Sequence, residues 1–212
     1  MFDRIAPVYD VMNRVMTAGL DVRWRRLAAA AAVRPGDRVL DAACGTGDLS
    51  LADLRAGAAS VTGLDFSARM LERARLKSSV IAWVEGDLLA LPFEDGSFDA
   101  ATVGFGIRNV PELERALAEL RRVLRPGGRL AILEITRPRG LLRPFFGLWF
   151  DRLVPLVGRL LPGGAAYTYL PASVARFPDA EELARLLGRA GFSEPGFRLL
   201  AGSIIALHVG KA

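Results

Sequence analysis

Short apolar runs alternate with longer stretches rich in alanine, leucine and charge along the first two thirds of the chain. Arg38–Ala42, Ser60–Asp65, Val80–Val84, Phe98–Val103 and Arg129–Ile135 read as short, mainly apolar strands. Before and between them, Asp21–Val33, about Asp48–Arg55, Ser67–Lys77 and Pro111–Val123 carry helical patterns. Ser67 is placed to cap one of these helices, and Pro111 suits the first turn of another. Pro35-Gly36 stops the first helix, and Pro126-Gly127-Gly128 predicts a turn before the last of these strands. This alternation predicts an α/β fold, a doubly wound and mostly parallel sheet covered on both faces. Chemistry in such sheets sits at the carboxyl ends of the strands.

The rhythm breaks after residue 137. The stretch 138–177 holds Phe145, Phe146, Trp149, Phe150, Tyr167 and Tyr169 with several prolines, and predicts a helical lid inserted over the sheet. Leu141–Leu161 is strongly apolar, but Arg143, Asp151, Arg152 and Arg159 interrupt it. Such charges suit a lid that touches a membrane surface, its own core or a second copy in a homodimer, and not a spanning helix. Asp179–Ala190 predicts a helix with Asp179 and Glu182 spaced as a capping box. Gly196–Leu200 and Ser203–Val209 predict a terminal antiparallel strand pair. The chain thus reads as a single domain over 1–212: a helical segment 1–34, a core 35–137, the lid 138–177, and a helix with a strand pair 178–212.

Composition narrows the setting. With 212 residues, 51% hydrophobic and 24% charged, the chain can bury a real core. The one cysteine, Cys44, excludes a disulfide framework and a multi-cysteine zinc site, so no metal is expected and a reducing cytoplasm is the simplest location. No signal peptide is visible in MFDRIAPVYD. The net charge of +5 is spread over many arginines without interleaved aromatics, which argues against a nucleic-acid partner.

The central chemical signal is Asp41-Ala42-Ala43-Cys44-Gly45-Thr46-Gly47. Small residues let the backbone turn tightly and a ligand approach it, and the helix that follows presents free N–H groups. Asp65 closes the next strand, where a carboxylate can take both hydroxyls of a ribose. A dinucleotide fingerprint would place Gly or Ala where this chain has Ser50, and Asp41 would repel a diphosphate. Asp41 instead suits S-adenosyl-L-methionine, whose sulfonium and ammonium are cationic. Gly86-Asp87 follows the third strand, where Asp87 can accept from the adenine amine.

With these residues placed, the chain resembles the ubiquinone/menaquinone biosynthesis methyltransferase family over nearly its whole length. Tyr9-Asp10-Val11-Met12-Asn13 is similar to the family's opening motif, with Thr17 in place of its serine and Asp21 in place of its histidine. Phe105–Val110 (FGIRNV) and Arg122–Thr136 resemble its two signatures; Tyr167–Pro171, Phe177-Pro178 and Ala206–Gly210 also fit. The resemblance implies a Rossmann-like class I methyltransferase fold. It also implies cofactor contacts from Thr46, Asp65, Gly86, Asp87 and Gly104, and C-methylation of a prenylated hydroquinone.

Demethylmenaquinol is the favoured acceptor, with the benzoquinol of the ubiquinone route as the alternative. Arg108 is the first catalytic candidate, to stabilise an oxyanion or position a water, unless it only forms a surface ion pair. Asn109 can orient that water or a ring oxygen, and Tyr9 can contact the ring. His208 reads equally as a base or as a buried structural side chain. The rival functions are methylation of another small hydrophobic acceptor, methylation of RNA, and a non-catalytic cofactor-binding subunit.

Overall fold

Two helices, Tyr9–Met16 (α1) and Leu20–Ala32 (α2), lead into Arg38–Ala42 (β1), Asp48–Arg55 (α3), Ser60–Asp65 (β2), Ala68–Lys77 (α4) and Ala82–Glu85 (β3). Phe98–Gly104 (β4), a 3₁₀ turn at Ile107–Asn109, Leu113–Val123 (α5) and Leu124–Ile135 (β5) follow. Ala165–Arg176 (α6), Ala180–Arg189 (α7), Ser193–Leu200 (β6) and Ile205–Lys211 (β7) complete this computed structural model, which describes residues 9–137 and 165–212. The sheet order is β3-β2-β1-β4-β5-β7-β6. The first five strands run parallel, β7 runs antiparallel to β5, and β6 runs antiparallel to β7.

Local signals account for the element ends. Ser67 Oγ accepts from the Met70 N–H at 3.2 Å, and Asp179 Oδ1 accepts from the Glu182 N–H at 2.9 Å. Gly191, with φ of 89°, lets the chain leave α7. The Pro126-Gly127-Gly128 turn lies inside β5 as a bulge, because β4–β5 pairing steps from Phe98↔Leu124 to Ala100↔Arg129. Gly127 takes φ of 76° there.

The sheet is buried on both faces. On one, Ala28, Ala29 and Ala32 of α2 and Leu49 and Ala52 of α3 pack on Val39, Ala100 and Leu133. Alanine along α2 lets that helix approach the strands closely. On the other, Leu117 and Leu120 of α5 and Leu183 and Leu187 of α7 pack on Leu40, Ala101 and Ile132. The final third of the expected lid forms α6, which contains Pro171 and lies beside the Ile107–Asn109 turn. The rest, 138–164, lies outside the described residues. Among the described residues, no helix is long and apolar enough to cross a membrane.

Candidate active site

Strand order reverses between β1 and β4, so the loops after these strands part and leave a crevice at their carboxyl ends. A cavity of about 340 Å³ opens there. The β1 loop contributes Ala43–Thr46, β2 ends in Asp65-Phe66, and β3 is followed by Gly86–Leu89. The β4 loop contributes Gly104–Gly106 and Asn109, and Arg25 reaches in from α2.

The glycine loop is shaped by crowding. Ala43, Gly45 and Gly47 take φ of 55°, 56° and 82°, so the chain turns almost on itself before α3. A side chain on Gly47 would run into the Trp83 indole, and one on Gly106 would sit 2.6 Å from Ala43 Cβ. The loops after β1 and β4 therefore meet backbone to backbone. Asp65 fixes the turn from below: Oδ2 accepts from the Gly45 N–H at 2.7 Å and Oδ1 from the Ser67 N–H at 2.9 Å. Asp87 Oδ1 accepts from the Leu89 N–H at 2.9 Å. A side chain on Gly104 would press on Leu49 Cδ2 at 2.9 Å, and one on Gly86 on Leu64 Cδ1 at the same distance.

Among the described residues, four carboxyl groups (Asp41, Asp48, Asp65 and Asp87) and one cation, Arg25, line the cavity. That balance repels a diphosphate and suits a cationic ligand. Asp41 is the deepest of them. Its Oδ2 accepts from Ser50 Oγ at 2.5 Å, while Oδ1 is buried with no partner among the described residues. Thr102, its register partner on β4, donates at 2.6 Å to Asp53, which lies one turn beyond Ser50. Burial pushes the Asp41 carboxyl up to about 7, against the pull of Ser50 and Arg25. Burial and the charge of Asp41 raise Asp53 as well. An orphaned carboxylate oxygen beside a tight glycine turn fits the ammonium group of S-adenosylmethionine.

The raised Asp41 has a signed consequence. Between about pH 4 and about 7 the ligand-free folded chain holds a proton that the unfolded chain has released, so this group's stabilising contribution declines as pH rises through that window. A cationic ligand needs the ionised form, so its affinity should weaken as pH falls below about 7, by up to about tenfold per unit. Calorimetric titration of S-adenosylhomocysteine, which keeps the ammonium, checks this; a flat affinity from about pH 5.5 to about 8 would contradict it.

The sequence profile of the ubiE/COQ5 methyltransferase family matches residues 1–212. The chain belongs to this family. It is 46% identical over 218 residues to a demethylmenaquinone methyltransferase of Thermus thermophilus, covering 99% of both chains. It is 42% identical to a 2-phytyl-1,4-naphtoquinone methyltransferase of Synechococcus elongatus, covering 100% of this chain and 95% of that one. The crystal structure of a Thermotoga maritima S-adenosylmethionine-dependent methyltransferase, 23% identical, superposes with a TM-score of 0.67 over 100% of this chain and 99% of that one, and shows the Rossmann-like methyltransferase fold. The chain is an S-adenosylmethionine-dependent methyltransferase of the ubiE/COQ5 family.

The family's FGIRNV signature forms the wall after β4. Phe105 takes φ of 60° while its N–H donates to Leu133 O at 2.8 Å. Non-glycine residues held there carry strain of order 1 kcal/mol, which the surrounding packing must offset. Arg108 turns away from the cavity wall. Its Nη1 donates to Glu134 Oε1 at 2.7 Å and to Phe105 O at 2.5 Å, and its Nε is buried without a partner among the described residues. Glu134 is 1% exposed, so the ion pair is a buried one. Asn109 lines the cavity, and its Oδ1 is buried and has no partner among the described residues.

The structure thus brings Asp41, Gly45, Thr46, Asp65, Gly86, Asp87, Gly104 and Asn109 together around one cavity. Gly47 stands just behind, as the residue before α3, and Arg108 stands outside the wall. Tyr9 begins α1, and that helix is tied to the glycine loop. Thr46 Oγ1 donates to Asp10 Oδ1 at 2.5 Å, and Lys77 Nζ reaches Asp10 Oδ2 and Asp48 Oδ1, both at 2.7 Å. Burial works against the Asp48 carboxylate, but the bound Lys77 ammonium holds its pKa below the ordinary value.

His208 sits elsewhere, in the β5–β7–β6 region. Its Nε2–H donates to Ala180 O at 2.9 Å, and burial lowers its pKa, which favours the neutral ring. Arg25 and Lys77 were not legible as site residues. Arg25 looks like one of several arginines on α2, and only its 7% exposure beside the cavity sets it apart.

Proposed function

We propose that this chain transfers the methyl group of S-adenosylmethionine to a ring carbon of a prenylated naphthoquinol, with demethylmenaquinol as the acceptor. The observation that carries the reading is the acid-lined cavity with its orphaned Asp41 oxygen, in a chain closely similar to enzymes named for naphthoquinone substrates. When bound, the cosubstrate supplies an electrophilic methyl group on a cationic sulfur. Asp41 holds the ammonium, Asp65 the ribose hydroxyls and Asp87 the adenine amine. Gly45, Gly47, Gly86 and Gly104 keep the wall thin enough for close approach, and Thr46 ties that wall to α1.

The acceptor ring enters against the Phe105–Val110 loop. Asn109 Oδ1 accepts from a ring hydroxyl and so favours the electron-rich form of the ring. Tyr9, at the start of α1, is the ring contact this reading assigns to that helix. The ortho carbon supplies the electron pair of the new C–C bond as the methyl–sulfur bond breaks and returns its pair to sulfur, leaving S-adenosylhomocysteine. The ring proton then passes to water and aromaticity is restored. Arg108, matched by Glu134, fixes the loop that carries Asn109. Holding the two centres aligned can lower the barrier by roughly 7–11 kcal/mol.

Peripheral membrane contact belongs to this reading. Val11 and Val15 on α1 are 65% and 67% exposed, and Phe66 at the cavity is 61% exposed. These apolar side chains offer a prenylated substrate a route from lipid. Neither nucleic acid nor a second copy of the chain is required. Labelled S-adenosylmethionine with short-chain demethylmenaquinol and the matching benzoquinol, each reduced and oxidised, tests the proposal. Label should pass to the reduced naphthoquinol; transfer to the benzoquinol alone, or to neither, overturns it.

A further inference from the structure

Arg25 is a nearly buried cation with donors left over. It is 7% exposed, and a charge at that depth must be paired. Its partner is Asp21, itself 1% exposed, which binds Arg25 Nη1. Asp21 is shared: Arg14 Nη1 reaches its two oxygens at 3.3 and 3.4 Å, and Thr17 Oγ1 donates at 3.1 Å. Two guanidinium groups therefore divide the Asp21 carboxylate, and Arg14 reaches on to Asp48 Oδ2 at 3.8 Å. Among the described residues, Arg25 Nε and Nη2 make no hydrogen bond. The guanidinium lies 5.4 Å from the centre of the Phe105 ring, which fixes its plane.

The place of this charge is informative. Among the described residues, Arg25 is the one cation on a cavity wall whose other charged groups are carboxyls, and its field acts on Asp41 and Asp48. An α-amino acid bears an ammonium and a carboxylate on the same carbon. A site for it needs an anion and a cation side by side, both facing inward. Asp41 Oδ1 supplies the first, and Arg25 is the group beside it that supplies the second. A planar fork with free N–H groups matches a carboxylate, and Asp21 holds that fork from behind.

We propose that Arg25, oriented by Asp21, binds the carboxylate of the cosubstrate's amino-acid moiety, so that Asp41 and Arg25 together recognise a zwitterion. This rests on the reading of the cavity as the S-adenosylmethionine site.

The test compares S-adenosylhomocysteine with its decarboxylated analogue, which keeps the nucleoside, sulfur and amine. Affinities are measured by calorimetry on the native chain, Arg25→Met and Arg25→Lys, each checked for folding by thermal melting. The native chain should prefer the carboxylate-bearing ligand by about 10- to 100-fold. Arg25→Met should bind the two ligands about equally, and Arg25→Lys should keep part of the preference. Equal binding of both ligands by the native chain overturns the proposal, even if Arg25→Met fails to fold. Undiminished discrimination by a folded Arg25→Met overturns it too. Binding of neither ligand by the native chain overturns the cavity reading itself, and this inference with it.

Discussion

Asp65→Ala should weaken binding of S-adenosylmethionine by about 100-fold or more, and kcat/KM should fall with it. The carboxylate does two jobs at once. It presents acceptors at the end of β2, where a ribose would lie, and it holds the glycine loop through the Gly45 and Ser67 N–H groups. Alanine removes both and strands two backbone donors in a site where Asp65 was only 6% exposed. Each stranded donor costs about 1–3 kcal/mol, so a lower melting temperature should accompany the loss. The two parts separate on titration: saturating cosubstrate should recover part of the rate if the loop still closes. Native affinity in Asp65→Ala would show that the β2 acid is not a cosubstrate contact.

Glu134→Ala should destabilise the fold by about 3–5 kcal/mol, because it leaves Arg108 charged in a site where its side chain is 10% exposed. The pair Arg108→Met with Glu134→Leu should recover most of that stability, since an apolar pair of similar volume removes the unpaired charge. Activity should not return with it. Arg108 Nη1 also holds the Phe105 carbonyl, and neither methionine nor leucine can replace that bond. A kcat at least about tenfold below the native value, with near-native stability and cosubstrate affinity, is the expected result. Full recovery of turnover would reduce Arg108 to packing and leave Asn109 as the ring contact on that loop.

The difference between Arg108 and the other signature residues shows how far the sequence carries. The glycine loop, Asp65 and Gly86-Asp87 were legible because strand ends and small-residue turns are local patterns. Their meeting at one cavity follows from parallel topology. Arg108 also sits where the pattern puts it, after β4, but its direction is set by Glu134. That residue reaches it only through β4–β5 register, with Val103 beside Ile132 and Gly104 beside Leu133. Burial of polar residues on α3 was hidden for a related reason. Ser50 and Asp53 face the sheet because Asp41 and Thr102 receive them there, while Leu51 and Leu54 are left half-buried. Helical periodicity alone would have turned that helix the other way. Arg25 depends on the same kind of long-range fact, the close approach of the alanine-rich α2 to the sheet.

Carbon methylation of a naphthoquinol is the central claim, and the ring hydrogen at the acceptor carbon reports on it most directly. Short-chain demethylmenaquinol carrying deuterium at that carbon, incubated with S-adenosylmethionine and the native chain, should lose one deuterium for each methyl group gained. Product that gains a methyl group and retains the deuterium would place the new bond on oxygen and contradict the account.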